Sequence, residues 1–154
     1  MPLTGTGNYF ENFTPGEVLR HARGKTIMEY DNVAITLQVM NTAAEHFDEH
    51  KMRSAGAIFP QRVTFGGVTT ATVIGLAMQD TGENAVRELA MDKIRLKGPV
   101  FHGDTLYAYT EVLAKDGCGA DPAGVVHFRH WGVNQHDQIV FEGERRVLIK
   151  KRGA

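Results

Sequence analysis

The chain has 154 residues, a length that suits one domain whose core is large enough to need no disulfide or metal. Charged residues make up 23% and the formal net charge is -1, so no overall field attracts nucleic acid or an anionic membrane. The single cysteine, Cys118, excludes an internal disulfide, and we therefore expect a reducing compartment, the cytoplasm. Residues 1–12 lack the basic and apolar regions of a signal peptide.

In the first half of the chain, the pattern predicts a strand over residues 18–27 and then a helix over residues 29–40. Thr26 and Glu29 have the spacing of a capping box, which marks the start of that helix. Residues 41–48 are too polar to continue it on a buried face, and we expect a loop there. A short second helix fits residues 50–53.

The second half changes from helix to strand. Residues 68–78 are predicted to form a helix with no charge on any face, which indicates that protein surrounds it. Four stretches rich in branched and aromatic residues then follow, separated by turn residues: 89–96, 105–113, 125–133 and 139–149. A buried helix followed by a meander of long strands predicts the α+β class, with an antiparallel sheet wrapped around a central helix.

Several short motifs occur in the order and spacing of one enzyme family. The sequence NTAAEHFD at residues 41–48 parallels a D-x-N-P-x-H-x-D loop, and FGGVTT at 65–70 stands where that family has A-H-G. The sequence PVFHGDTL at 99–106 is close to P-V-x-x-G-D-T-L. Together they resemble the MaoC-like (R)-specific enoyl-CoA hydratase/dehydratase family. Residues 80–95 are similar to its mesaconyl-CoA and itaconyl-CoA hydratase branch.

The resemblance implies a single hot-dog domain over residues 1–154. It also implies an activity: reversible addition of water to a short, branched 2-enoyl-CoA thioester, with no metal or other cofactor. The partners that it implies are the acyl-CoA substrate and further copies of the chain. The resemblance implies a homodimer in which the sheets of the two copies join edge to edge. Such pairing would protect exposed strand edges.

The resemblance assigns the catalytic pair to Asn41 and His46. Hydration needs a base for water and an acid for Cα, and an imidazole does both near neutral pH. Asn41 stands where the family has Asp, and an amide orients water but takes no proton. His46 must then carry more of the proton transfer, or Glu45 or Asp48 must help. Gly66 and Gly67, at the entry to the central helix, are expected to bind the thioester oxygen through backbone N–H groups.

The remaining expected site residues bind substrate. Asp48 matches the trailing Asp of the loop, although it equally suits a cap of the short helix that follows. Arg62 and Arg95 flank the site in sequence, and a guanidinium suits the distal carboxylate of a dicarboxylic acyl-CoA. The alternative for each arginine is an ordinary surface position.

Two other functions remain open at this point. One is a hot-dog acyl-CoA thioesterase, for which Glu45 is the local carboxylate. The other is a non-catalytic acyl-CoA-binding partner subunit, which Asn41 favours. No metal site is expected, because His127 and His130 are three apart in a predicted strand and face opposite sides of the sheet.

Overall fold

A computed structural model describes residues 2–3, 7–117 and 119–154, so Cys118 lies outside the described residues. The chain begins with a two-residue strand and a single 3-10 turn, after which the first long strand leads into four helices and four further long strands. These elements are β1 (Pro2–Leu3), the 3-10 turn (Phe10–Asn12), β2 (Val18–Thr26), α1 (Glu29–Gln38), α2 (Ala44–Phe47), α3 (Glu49–Met52), α4 (Gly66–Thr81), β3 (Ala85–Leu96), β4 (Thr105–Asp116), β5 (Ala123–Val133) and β6 (Ile139–Lys150).

The strands form one sheet in the order β1-β2-β4-β5-β6-β3. β1 runs parallel to β2, and every other neighbouring pair is antiparallel. Buried and partly exposed residues alternate along β4, β5 and β6, so one face of the sheet is covered. The helix α4 packs against β2, β4, β5 and β6. This confirms the predicted α+β class and the predicted position of the central helix.

The apolar core has two parts. One lies around the middle of α4 and comprises Ile27, Val73, Ile74, Val100, Leu106, Ala108, Val140 and Phe141. The other lies between the 3-10 turn and the far ends of the strands and comprises Phe13, Leu19, Val112, Val126, Phe128, Val147 and Ile149. Both parts include residues of β4 and β6, so these two strands contribute to the core at both of their ends.

Within one copy of the chain, protein does not surround α4 on every side, contrary to the prediction. Its inner face is buried at Val68, Val73 and Ala77, but Ala71 and Gly75 are exposed. The absence of charge on the outer face therefore has another physical reason. That face belongs to an open apolar surface that continues onto β3.

A chain of buried polar groups ties the end of α4 to the sheet. The guanidinium of Arg145 donates to Nε2 of His130 at 3.4 Å, so the neutral His130 ring carries its hydrogen on Nδ1. That Nδ1 donates to the Thr110 hydroxyl at 2.7 Å, which in turn donates to Nε2 of His21 at 2.7 Å. Nδ1 of His21 then donates to Asp80 in α4 at 2.6 Å. One direction of donation thus fixes both histidine tautomers.

The helix α1 begins at Glu29 as predicted, but its N-cap differs from the prediction. Thr26 lies within β2, where its hydroxyl bonds to that of Thr105 at 2.8 Å. The predicted capping box is therefore wrong, and the N-cap is Met28, whose N–H donates to the Asp31 side chain at 2.8 Å. No helix of the described residues is long and apolar enough to cross a membrane.

Candidate active site

The helical turn α2 fixes the position of His46, inside the segment that was predicted to be a loop. The His46 side chain is buried, and its Nδ1 donates to the carbonyl of Val63 at 2.8 Å. Since a carbonyl only accepts, this bond places the hydrogen on Nδ1 and leaves Nε2 as a proton acceptor. The backbone of Val63 in turn donates to the carbonyl of Glu45 at 3.0 Å, which holds both segments together.

A second buried residue, Asn32 of α1, joins the His46 turn to the start of α4. Its Nδ2 donates to the His46 carbonyl at 3.2 Å, and its Oδ1 accepts from the Phe65 N–H at 2.9 Å. Asn32 is completely buried, so both ends of its amide are satisfied inside the protein. We missed this positioning residue in the sequence. The residue could have been found because it is an Asn in the interior of a predicted helix, where an amide without a hydrogen-bond partner is unfavourable.

His46 lines a cavity of about 340 Å³ between α2, the start of α4 and the segment that follows β3. Twelve residues form its wall: Glu45, His46, Phe59, Val63, Thr64, Gly66, Thr69, Leu96, Lys97, Gly98, Pro99 and Val100. Most of that surface is apolar, and the ionisable side chains among the twelve are Glu45, His46 and Lys97. This volume suits a short acyl group.

The two glycines at the start of α4 face different spaces. Gly66 lines the cavity with His46, whereas Gly67 lines an apolar groove on the outer side of the helix. A Cβ at Gly66 would lie 2.2 Å from the Leu96 side chain, so only glycine allows the start of α4 to approach Leu96 this closely. The first N–H groups of α4 have no partner within the helix and carry its positive end. The start of α4 can therefore bind an anionic oxygen.

Thr64 adds an unsatisfied polar group beside this helix start. It lines the cavity and is buried, and its hydroxyl has no hydrogen-bond partner among the described residues. Its backbone is fixed, because Thr64 N donates to the Val100 carbonyl at 2.8 Å. An unbonded buried hydroxyl is costly unless a water or a ligand satisfies it.

Asn41 and Asp48, at the ends of the predicted motif, both stabilise local turns. Oδ1 of Asn41 accepts from the Ala43 N–H at 3.3 Å, which forms the turn before α2. Asp48 is the N-cap of α3, and its Oδ1 accepts from the Lys51 N–H at 2.9 Å. The alternative prediction for Asp48, a cap of the short helix that follows, is thus confirmed. Neither residue is on the cavity wall.

Neither of the two arginines expected to bind substrate is on the cavity wall. Arg62 is paired with Glu29 and with Glu49, at 2.8 Å from the latter. Hydrogen bonds from Arg53 and Arg62 lower the pKa of Glu49 to about 2. Arg95 is exposed in β3 and lines a separate charged hollow.

Comparison with known proteins identifies the family. The family model described as mesaconyl-CoA hydratase matches residues 3–151. The chain belongs to the mesaconyl-CoA hydratase family. A curated relative, mesaconyl-CoA hydratase of Haloarcula marismortui, is 30% identical over an alignment of 161 positions, which covers 97% of this chain and 44% of the relative.

Two solved structures have the same fold. A MaoC-domain dehydratase structure from Chloroflexus aurantiacus has a TM-score of 0.89 and 30% identity, covering 97% of this chain and 42% of that one. A Mycobacterium tuberculosis protein, described as a double hot-dog fold, has a TM-score of 0.86 and 22% identity, covering 98% and 46%. These structures confirm the predicted hot-dog fold. The chain spans less than half the length of these proteins.

Proposed function

We propose that the chain catalyses the reversible addition of water to a short, branched 2-enoyl-CoA thioester, without a metal or redox cofactor. The observation that carries the proposal is the buried His46 in one cavity with the first residue of α4. The membership of the chain in the mesaconyl-CoA hydratase family supports the same reaction.

The chemistry divides between these two elements. The N–H groups at the start of α4 stabilise the negative charge that develops on the thioester oxygen as water attacks Cβ. Nε2 of His46 takes the proton from that water and delivers it to Cα, so the imidazole ends the cycle unchanged. The bond from Nδ1 to Val63 keeps the ring in the tautomer that this step needs.

The wall of the cavity favours a small branched acyl group. Phe59, Leu96 and Val100 provide apolar contacts, and Lys97 provides a cation at the same cavity. A dicarboxylic acyl-CoA would place its distal carboxylate near Lys97. The Lys97 side chain has no hydrogen-bond or ion-pair partner among the residues that the structure describes, whereas Arg62 has two carboxylate partners. We therefore assign carboxylate recognition to Lys97 in preference to the two arginines.

A thioesterase is the second candidate, because one observation favours it. The Glu45 carboxylate and Gly66 share the cavity, so water activated at Glu45 could attack a thioester carbonyl held at the start of α4. The family assignment supports hydration over hydrolysis. Release of free CoA distinguishes the two reactions.

Incubation of the purified protein with mesaconyl-CoA and with crotonyl-CoA tests the proposal. Loss of enoyl absorbance with the thioester intact is the expected result, with mesaconyl-CoA preferred. Free thiol with an unchanged double bond would indicate the thioesterase. Binding of either thioester without turnover would indicate a non-catalytic partner subunit.

We further propose that a second copy of the chain covers the outer face of α4 and β3. Val86, Leu89, Met91 and Ile94 are apolar and between 41% and 53% exposed along β3, the last strand of the sheet. Beside them, the outer side of α4 forms an apolar groove of about 480 Å³. The double hot-dog relative, more than twice as long, provides a precedent for two such units in one molecule.

Light scattering tests this pairing. The expected mass is twice the 17.0 kDa of the chain at micromolar concentration. The substitution Met91→Lys should lower it towards 17.0 kDa, because a buried unpaired charge opposes association. The control Ile58→Lys replaces an exposed apolar residue outside this face and should leave the mass unchanged. A native mass near 17.0 kDa would refute the proposal.

A further inference from the structure

We propose that Glu45 is a second catalytic residue, which supplies the carboxylate that Asn41 lacks. This inference rests on the hydratase function proposed above. Glu45 and His46 are neighbours on α2, and both line the cavity that contains the start of α4. The proposed role of Glu45 is to bind the attacking water together with His46.

The distance between the two side chains suits a bridging water. Oε1 of Glu45 lies 3.7 Å from Nε2 of His46, which is longer than a direct hydrogen bond. Polar groups at this separation are commonly bridged by one water molecule. The Glu45 side chain is half exposed, so a water can reach it from the cavity. A water held there contacts the only nitrogen of His46 that is free to accept a proton.

The other carboxylates near this segment are already engaged. Asp48 caps α3 through the Lys51 N–H. Glu49 is bonded to Arg53 and to Arg62. For Glu45, in contrast, the contact with His46 is the only polar contact of the side chain within residues 7–117 and 119–154. Glu45 is thus the carboxylate left to act at the cavity.

The backbone also fixes where the Glu45 side chain starts. The Glu45 carbonyl accepts from Val63 N at 3.0 Å, and Nδ1 of His46 donates to the carbonyl of the same Val63. Both residues of the proposed pair are therefore anchored to one point of the chain. A substitution of the Glu45 side chain leaves these backbone bonds in place.

The proposed step is balanced in atoms and charge. Glu45 accepts one hydrogen bond from the water, which aims the water oxygen at Cβ, and Nε2 of His46 takes the other hydrogen. The oxygen–Cβ bond forms as the C=C π electrons move through Cα onto the thioester oxygen. The negative charge of Glu45 stabilises the imidazolium. Nε2 then transfers its proton to Cα, and the hydrated thioester leaves with the pair restored.

The test uses two variants of Glu45 in the intact protein. Glu45→Gln keeps an oxygen that binds water but removes the charge, and Glu45→Ala removes both. We expect kcat to fall by about tenfold in the first and by about a hundredfold in the second, with KM nearly unchanged. Added formate should partly restore Glu45→Ala, because a small carboxylate can enter the vacated position, and it should not restore Glu45→Gln.

The matched control is Glu83→Gln, which removes an exposed carboxylate distant in sequence from the cavity wall and should retain wild-type kcat. A kcat of Glu45→Ala within twofold of wild type, with normal circular dichroism, would overturn the role of Glu45 and leave the hydratase function intact. A fall in kcat without rescue by formate would likewise overturn it, since it would indicate a structural role. Inactivity of the wild type on both thioesters would overturn the proposed function and this role together.

Discussion

Acidification from pH 7 to pH 5.5 should destabilise the fold through the buried histidines that connect α4 to the sheet. Burial lowers the pKa of His21 despite the hydrogen bond and charge of Asp80. The pKa of His130 is lowered well below its ordinary value, first by burial and then by the charge of Arg145. A proton on His130 would place two donors against each other, because Arg145 already donates to its Nε2.

The sign of the effect follows from which state binds the proton. In the unfolded chain each histidine takes up a proton near pH 6.5, whereas the folded state keeps His130 neutral. The unfolded state therefore binds more protons below that pH, and stability falls as the pH falls. For His130 the loss between pH 7 and pH 5.5 is about 1 kcal/mol, with a further contribution from His21. Carboxylates with a lowered pKa, such as Glu49, lose their contribution only at lower pH.

Urea denaturation at the two pH values measures this loss. The variant His130→Gln keeps one donor and one acceptor but cannot titrate, so its stability should depend on pH by about 1 kcal/mol less than that of the wild type. The control His50→Gln replaces an exposed histidine and should keep the wild-type pH dependence. An unchanged pH dependence in His130→Gln would refute the reasoning, as would an NMR titration that shows His130 protonated at pH 5.5 in the folded protein.

Two substitutions on the cavity wall give further predictions. Thr64→Val removes the unsatisfied hydroxyl at nearly constant shape, so we expect an unchanged or higher melting temperature in calorimetry together with a several-fold lower kcat/KM. A lower melting temperature with full activity would contradict a ligand-binding role. Lys97→Met should reduce the preference for mesaconyl-CoA over crotonyl-CoA by roughly tenfold, about the value of one charged contact. In competition assays, the same preference in Lys97→Met and wild type would exclude Lys97 from carboxylate recognition, whereas Arg62→Gln should leave the preference unchanged.

Local patterns in the sequence predicted most of the fold. The four later strands and α4 were predicted because each has a continuous apolar pattern and ends at turn residues. The N-cap of α1 was wrongly assigned to Thr26, because a capping-box spacing also arises when a threonine lies at the end of a strand. The sequence could not show that the outer face of α4 is left open by its own chain. An uncharged helix has the same residue pattern whether its own chain or a second copy of the chain covers it.

The site was only partly predictable, because it depends on contacts between distant segments. His46 was identified through its loop, and it does line the cavity. Asn32 contacts Phe65 across 33 residues, and Arg62 contacts Glu29 across the same separation, so neither pairing has a local signature. Asn41 matched a motif position, yet its amide forms a turn, which a spacing alone does not distinguish from a catalytic position.

The hydration of mesaconyl-CoA by the wild type, by His46→Gln and by His50→Gln tests the central proposal most directly. Both variants carry the same substitution four residues apart, but only His46 lies on the cavity wall. We expect the wild type and His50→Gln to hydrate the thioester at similar rates, and His46→Gln to lose about a hundredfold or more in kcat. Equal rates for all three proteins would contradict the assignment of this cavity as the active site.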